Sequence, residues 1–256
     1  MKWLRSNTAN IILMLFFACL SLNVQASTGW KVDIAPYLWA INMSGTVKVG
    51  AEQVHVDQDF SDLLKKLNFA GMLWIDAHNG PFGIFGNIDY AVISDSAHDG
   101  PVSVTAQNKF GLYSAGISYL IFQNQSRSFE IEPYAGVRYT VNDTSVTLKD
   151  LPFINIRASD NQHWADPIVG ARFHFIFNRA WSAMLAGDVG GTNTVDHNSY
   201  NIVALLGYHP QTHMIKTTWY VGYRLLDQHY RTGNGSTLFD WNMKLYGPIV
   251  GVKIAI

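Results

Sequence analysis

The sequence holds a single cysteine, Cys19, among 256 residues. That excludes a disulfide framework and a thiolate metal site. Charge is scarce as well: Lys, Arg, Asp and Glu make up 14% of the chain, against about 25% in ordinary soluble domains. The 18 basic and 19 acidic residues nearly cancel, so the basic footprint of a nucleic-acid binder is missing. No run of 18 or more apolar residues exists, which excludes a transmembrane helix. The nine histidines are scattered along the chain, so no metal site is expected. Gly80 and Gly190-Gly191 read as turn or close-packing glycines, since no phosphate-cradling loop precedes a helix, and no cofactor is expected.

What is present starts at the N-terminus. Lys2 and Arg5 precede an apolar run from Ile11 to Leu20, and Val24-Gln25-Ala26 supplies small residues for cleavage. Residues 1–26 therefore read as a secretory signal peptide, leaving 27–256 as one domain. Aromatic residues make up 13% of the chain. An exported, charge-poor, aromatic-rich chain points to the outer membrane of a Gram-negative bacterium.

The decisive signal is two-residue alternation. From His163 to Phe177 the odd positions are Ala165, Pro167, Val169, Ala171, Phe173, Phe175 and Phe177, and the even ones include Asp166, Arg172 and His174. From Phe129 to Val141 an apolar face opposes Glu130, Glu132, Tyr134, Arg138 and Thr140. Such strands have one greasy and one charged face. A soluble sandwich buries the greasy face, whereas a membrane barrel turns it toward lipid.

Ten strands of this kind follow in order: Trp30–Ile41, Phe69–His78, Phe82–Ile93, Val102–Phe122, Phe129–Val141, His163–Phe177, Trp181–Gly190, Tyr200–Tyr208, Met214–Tyr230 and Leu238–Ile256. The even-numbered connections are short and the odd-numbered ones longer and polar, for example Ser94–Gly100 and Asn142–Gln162. That parity is the layout of an outer-membrane barrel. The expected fold is thus all-β: an antiparallel transmembrane β-barrel of about ten strands. A short hairpin is expected over TVKVGAEQVHVD. A short helix near the first long loop, around Phe60 to Leu67, is capped by Asp59 and expected to cap or partly plug the mouth. A bulge is suspected near Asn108–Tyr113, and a phase shift at Gly247-Pro248. Trp30, Trp181, Trp219, Trp241, Tyr139 and Phe173–Phe177 are expected in aromatic girdles.

Several blocks are also familiar. WKVDIAPYLWAINMSGTVKVG, VDQDFSDLLKKLNFAGM, HWADPIVGARF, GDVGG, GYRLLDQHY and LYGPIVGVKIAI resemble a widespread family of uncharacterised bacterial outer-membrane β-barrel proteins. The resemblance covers the chain after the leader, with PYLW, DFSDLL and W-x-D-P-x-x-G-x-R its most specific parts. It implies fold and location, not catalytic residues. The final strand resembles the signal read by the barrel-assembly machinery, although Ile256 stands where that signal has an aromatic residue.

With the apolar face outward, the lumen receives Asp33, Asp76, His78, Asp89, Glu130, Glu132, Arg138, Asp166, Arg172, His174, Asp188, Lys216, Arg224, Asp240 and Lys244. A structural charge network is expected from Asp33, Asp89, Glu130, Glu132, Arg138, Asp166, Arg172, His174, Asp188 and Arg224, because charges held away from bulk water need partners. The expected function is a structural barrel or a narrow, porin-like path for a small solute, with outer-membrane lipid and lipopolysaccharide as surroundings. No enzyme is expected. The alternative is a hydrolase at the rim. Asp57 and Asp59 with Asp227 and His229 resemble the acid pair and Asp–His pair of omptin-type proteases. His197 and Ser199 resemble the His–Ser spacing of outer-membrane lipid A deacylases.

Overall fold

The computed structural model describes residues 29–99, 102–150, 154–194, 196–211 and 216–256; the expected leader lies outside them. Thirteen strands of the described chain form one sheet: β1 Lys31–Trp39, β2 Asn42–Val49, β3 Glu52–Gln58, β4 Leu67–Asn79, β5 Phe82–Asp99, β6 Val102–Tyr119, β7 Phe122–Gln123, β8 Phe129–Asp150, β9 Ile154–Ile176, β10 Trp181–Thr194, β11 His197–Tyr208, β12 Thr217–Thr232 and β13 Phe239–Ala255. Ten of them close the wall in the order β1-β4-β5-β6-β8-β9-β10-β11-β12-β13, with β13 pairing back onto β1. Every pair is antiparallel, and closure leaves these strands without free edges around most of the wall. Helix α1, Phe60–Lys66, follows the β2–β3 hairpin.

The strands are far longer than a membrane needs. β8 has 22 residues and β9 has 23, where roughly 9–11 suffice to cross. The stretch 142–162, expected as a long connection, is instead a ladder running from Asn142↔Gln162 to Asp150↔Ile154. Likewise Ser94–Asp99 is paired with Val102–Gln107. These polar segments form regular sheet because the wall continues beyond the lipid, where polar side chains face water on the outer side.

That extension explains two irregularities expected from the sequence and not observed. The β5–β6 and β6–β8 ladders run without a register shift through 108–113, so there is no bulge there. The β12–β13 ladder is likewise continuous through Gly247-Pro248. Along β13 the odd residues Phe239, Trp241, Met243, Leu245 and Ile249 are all buried inside, while Val250 is exposed outside. The side-chain pattern changes and the strand does not. Below Gly247 the barrel is largely polar inside and apolar outside; above it, β13 turns an apolar face inward and a polar one outward. The same change on β6, from inward Ser118 and Ser114 to Leu112 and Phe110, is what resembles a bulge in sequence.

The apolar outer band is bounded by aromatic belts. Phe82, Tyr119, Phe122, Phe177, Trp181, Tyr208 and Trp219 are exposed at the short-turn end, and Tyr139 and Tyr200 at the other. Trp241, expected in a girdle, is 4% exposed and lies in the interior, because its half of β13 stands above the lipid. Helix α1 does not plug the mouth: none of its residues is buried. The interior there is filled by Phe110, Leu112, Trp164, Leu226, Phe239, Trp241, Met243 and Leu245.

One seam in the wall is irregular. β1 and β2 follow one register along β13, from Asp33↔Ala255 through Trp39↔Ile249 to Val49↔Phe239. Gly247 is required at the junction: a Cβ there would lie 1.9 Å from the Ala40 carbonyl oxygen, whose residue donates its N–H to Pro248 O at 2.9 Å. On its other edge β1 pairs with β4 from Lys31↔His78 to Pro36↔Leu73, and β2 then pairs with β3. At the departure point the Trp39 N–H donates to the Met72 thioether at 3.0 Å in place of a carbonyl.

Candidate functional site

Among the described residues, the charged lumen is where the fold concentrates ionisable groups away from water. Alternation on β8 brings Glu132, Tyr134, Arg138 and Thr140 inward; β9 supplies Asp166, Arg172 and His174; and β10 to β12 supply Asp188, Ser199, Asn201, Arg224 and Gln228. A buried ion needs a counter-ion and filled hydrogen-bond positions.

Arg138 meets these conditions first. Its Nη2 donates to Asp188 at 2.7 Å, and Nη1 lies 3.4 Å from the Ser199 hydroxyl. Both side chains of the Arg138–Asp188 pair are 2% exposed. Asp188 also accepts from Tyr134 Oη and from Asn201 Nδ2, each at 2.8 Å. Asn201 in turn accepts from Arg224 Nε at 2.9 Å, and Arg224 Nη1 donates to Asp89 at 2.9 Å. Asp89 accepts from Asn87 Nδ2 at 2.9 Å and from Tyr37 Oη at 2.5 Å. One chain of bonds thus links β1, β5, β8, β10, β11 and β12 across the lumen.

A second cluster lies nearer the short-turn end. Arg172 Nη1 donates to Asp76 at 2.6 Å and to Glu132 at 3.2 Å. Its guanidinium lies 4.9 Å from the Trp74 ring centroid, 4.8 Å from that of Phe85 and 5.2 Å from that of Tyr134, which adds cation–π attraction. His78 reaches Asp76 at 2.8 Å and His174 reaches Glu132 at 3.3 Å. Tyr134 joins the two clusters, its ring against Arg172 and its hydroxyl on Asp188. Nearer the apolar interior, Asp166 is bonded by His197 and by Gln228 Nε2, the latter at 3.3 Å.

Of the ten residues expected in a lumen network, Asp89, Glu132, Arg138, Asp166, Arg172, Asp188 and Arg224 are buried among such partners, with His174 half-buried beside Glu132. Asp33 lies apart, near the short-turn end, paired with Lys253 at 2.8 Å. Glu130 lies at that end as well, bonded to Gln123 rather than to an arginine. Asp240 and Lys244 face outward, toward His229 at 3.1 Å and Asp227 at 3.8 Å, because that half of β13 has its apolar face inside. Lys216 is exposed in the turn before β12. The neutral partners Tyr37, Asn87, Tyr134, Asn201 and Gln228 lie outside the expected network, although their phase on the strands marks them as inward.

The rim constellations are not assembled. Asp57 pairs in register with Ser44, Ser44 with Lys244, and Lys244 with Asp227. Three ladder steps, roughly 14 Å, separate Asp57 from Asp227, and Asp227 and His229 lie on the outer face with Lys244 and Asp240 as partners. Ser199 is fully buried with its hydroxyl toward Arg138, while His197 is engaged by Asp166. Among the described residues no group of three or more His, Cys, Asp or Glu is placed to hold a metal ion.

No protein-family profile and no curated protein sequence matches the chain. Solved structures do. The outer membrane protease OmpT of Escherichia coli superposes with a TM-score of 0.55 over 89% of this chain and 96% of its own, at 9% identity. The chain has the fold of a bacterial outer-membrane β-barrel. OprG of Pseudomonas aeruginosa (TM-score 0.34, 11% identity, 90% and 96% covered) and Ail of Yersinia pestis (TM-score 0.36, 9% identity, 89% and 99% covered) are more distant in shape. At 9% identity the likeness to OmpT extends to the fold alone.

Proposed function

We propose that this barrel is a closed, non-conducting outer-membrane scaffold, braced through its lumen and presenting a tall extracellular wall, rather than a porin-like channel or a rim hydrolase. The observation that carries this reading is the layer of Leu112, Leu226 and Leu245 at 0% exposure and Met243 at 1%, seated above guanidinium–carboxylate pairs that bridge the lumen. An ion path would have to cross an apolar layer and then break buried pairs. Lipid and lipopolysaccharide would surround the band between the belts, and the assembly machinery would engage β13. Membership of the family whose sequence blocks this chain resembles fits the same picture.

Planar-bilayer recording on refolded protein tests the reading. The expected trace is silent at physiological salt. Stepwise openings that vanish when Arg138 or Arg172 is replaced would overturn it in favour of a channel. Peptide or acyl-ester hydrolysis lost in His229→Ala or His197→Ala would overturn it in favour of an enzyme.

A further inference from the structure

The lipid-facing wall of β9 to β12 is not smooth. Its outward side chains fall in rows set by the ladders, and most of them are large. Two are small: Ala183, in register with Phe175 and Leu206, and Ala204, in register with Leu185 and Tyr223. The two alanines lie on a diagonal, and their missing bulk leaves an open hollow of about 410 Å³ walled by those four larger side chains. Two residues nearer the short turns, roughly 7 Å along the strands, come Trp181, Tyr208 and Trp219, three exposed rings in register across β10, β11 and β12. Rings with an apolar body and a polar tip sit where hydrocarbon gives way to ester and headgroup.

Below the rings, the turns carry positive charge and no acid. Arg127 stands in the turn before β8, Arg179 between β9 and β10, and Lys216 before β12. All three are exposed, and none has an ion pair among the described residues. Asp33 and Glu130, the acids at this end, are already bonded to Lys253 and Gln123. The base of this face is also held in place. Gln211 Nε2 donates to the Arg179 carbonyl at 2.9 Å, and the His209 N–H donates to the Ala180 carbonyl at 2.8 Å. Those two bonds tie neighbouring turns together and fix Arg179 beneath Trp181. Short turns of such barrels face the periplasm, so this rim meets the inner leaflet.

We infer that the hollow and the turns below it form a site for one anionic phospholipid of the inner leaflet. An acyl chain lies over Ala183 and Ala204, the glycerol esters sit among Trp181, Tyr208 and Trp219, and the phosphate meets Arg179, with Arg127 and Lys216 on the flanks. The cations select a negative headgroup, and the hollow selects a lipid over a free anion. A second copy docked through the same face would bring one positive rim against another, because a two-fold contact uses the same patch on both partners. The site does not depend on the scaffold reading: a conducting bilayer would sink that reading and leave this one standing.

Native mass spectrometry of the full refolded chain in detergent tests the site. The probes are palmitoyl-oleoyl phosphatidylglycerol and palmitoyl-oleoyl phosphatidylcholine, offered in equal amounts. Wild type should retain one lipid, predominantly phosphatidylglycerol. Arg179→Gln should weaken phosphatidylglycerol binding about fivefold, the effect of one cation at an anionic lipid surface, and leave phosphatidylcholine binding unchanged. Ala204→Phe fills the hollow with every cation in place and should abolish retention of both lipids. If that variant fails to fold, judged by heat-modifiable mobility on a gel, Ala183→Leu serves instead. Lys31→Gln removes an exposed cation at the same end but on β1, away from the hollow, and should change nothing. Equal retention of the two lipids, or full retention in a folded hollow-filling variant, would overturn the inference. So would equal losses in Lys31→Gln and Arg179→Gln, which mean diffuse rim charge, or complete displacement by millimolar inorganic phosphate, which means a free-anion site. A lipid-free dimer that Ala204→Phe dissociates would give the hollow to a second barrel and overturn it as well.

Discussion

Replacing Arg138 by methionine keeps most of the side-chain volume and removes the charge. Asp188 is then left as a buried carboxylate that retains the Tyr134 hydroxyl and the Asn201 amide, each at 2.8 Å, but no cation in direct contact. Breaking one half of a buried pair costs about 3–5 kcal/mol, and Asp188→Asn alone should cost a similar amount by leaving the guanidinium with Ser199 at 3.4 Å. In the double variant Arg138→Met/Asp188→Asn no net charge remains, and the asparagine oxygen still accepts from Tyr134. Its cost should fall to about 1–2 kcal/mol, far below the sum of the single changes. Urea unfolding of the protein refolded in lipid, followed by tryptophan fluorescence, gives the three values at pH 7.5. The opposite pattern refutes the reasoning. If each single change costs under about 1 kcal/mol, the pair behaves as solvent-exposed ion pairs do, and the lumen is full of water. If the double variant loses the sum of both, the two residues act separately and the cross-lumen brace does not exist.

Other expected outcomes follow from the same contacts. Leu245→Ala, at a position with 0% exposure, should destabilise the barrel by about 2–5 kcal/mol in urea, whereas Val250→Ala on the lipid face should matter far less; equal losses would place the membrane boundary wrongly. Gly247→Ala forces a Cβ against the Ala40 carbonyl at 1.9 Å and should lower the yield of folded barrel, read as heat-modifiable mobility on a gel; a wild-type yield would mean that the junction relaxes freely. His209, in the turn after β11, is bonded to Ser182 and Thr218 at 2.8 and 2.9 Å. Burial, and to a lesser degree Lys253, hold its imidazole below the usual histidine range. The unfolded chain therefore takes up a proton first, so stability from this group is present above about pH 6.5 and is lost as pH falls below it. The difference in unfolding free energy between wild type and His209→Gln should shrink from pH 8 to pH 5; growth in that difference would mean that the sign is wrong.

The fold was legible because hydrophobic alternation and loop parity are consequences of lipid on one side of a wall. Phe129–Val141 and His163–Phe177 cross the lipid band, and their charged faces lie in the lumen as their phase requires. The same rule failed where the lipid ends. Asp240, Lys244, Asp227 and His229 occupy strands as regular as any other, but water replaces hydrocarbon outside them and the interior becomes apolar. With one solvent along the whole chain, Asp240 and Lys244 would fall in the lumen and Trp241 in a girdle. The long paired extension over 142–162 was hidden for a related reason: with polar residues in both phases, a strand in water carries a weak periodic signal. Partners across the lumen, such as Arg224 with Asp89, 135 residues apart, depend on closure and curvature, which no local pattern encodes.

The reversal at Gly247-Pro248 also fixes how deeply the molecule sits. Leu225 pairs with Tyr246 and, one outward row higher, Asp227 pairs with Lys244. Sinking the barrel by that one row would bring an acid and an amine toward hydrocarbon, at up to a few kcal/mol for the lysine as depth increases. Rising by a row would bare leucine and tyrosine to water at about 25 cal/mol per Å² of apolar surface. The chain therefore carries its own waterline. Outer membranes of different thickness would have to deform around that line rather than let the barrel drift, and the extracellular wall would stand at a constant height above the lipid.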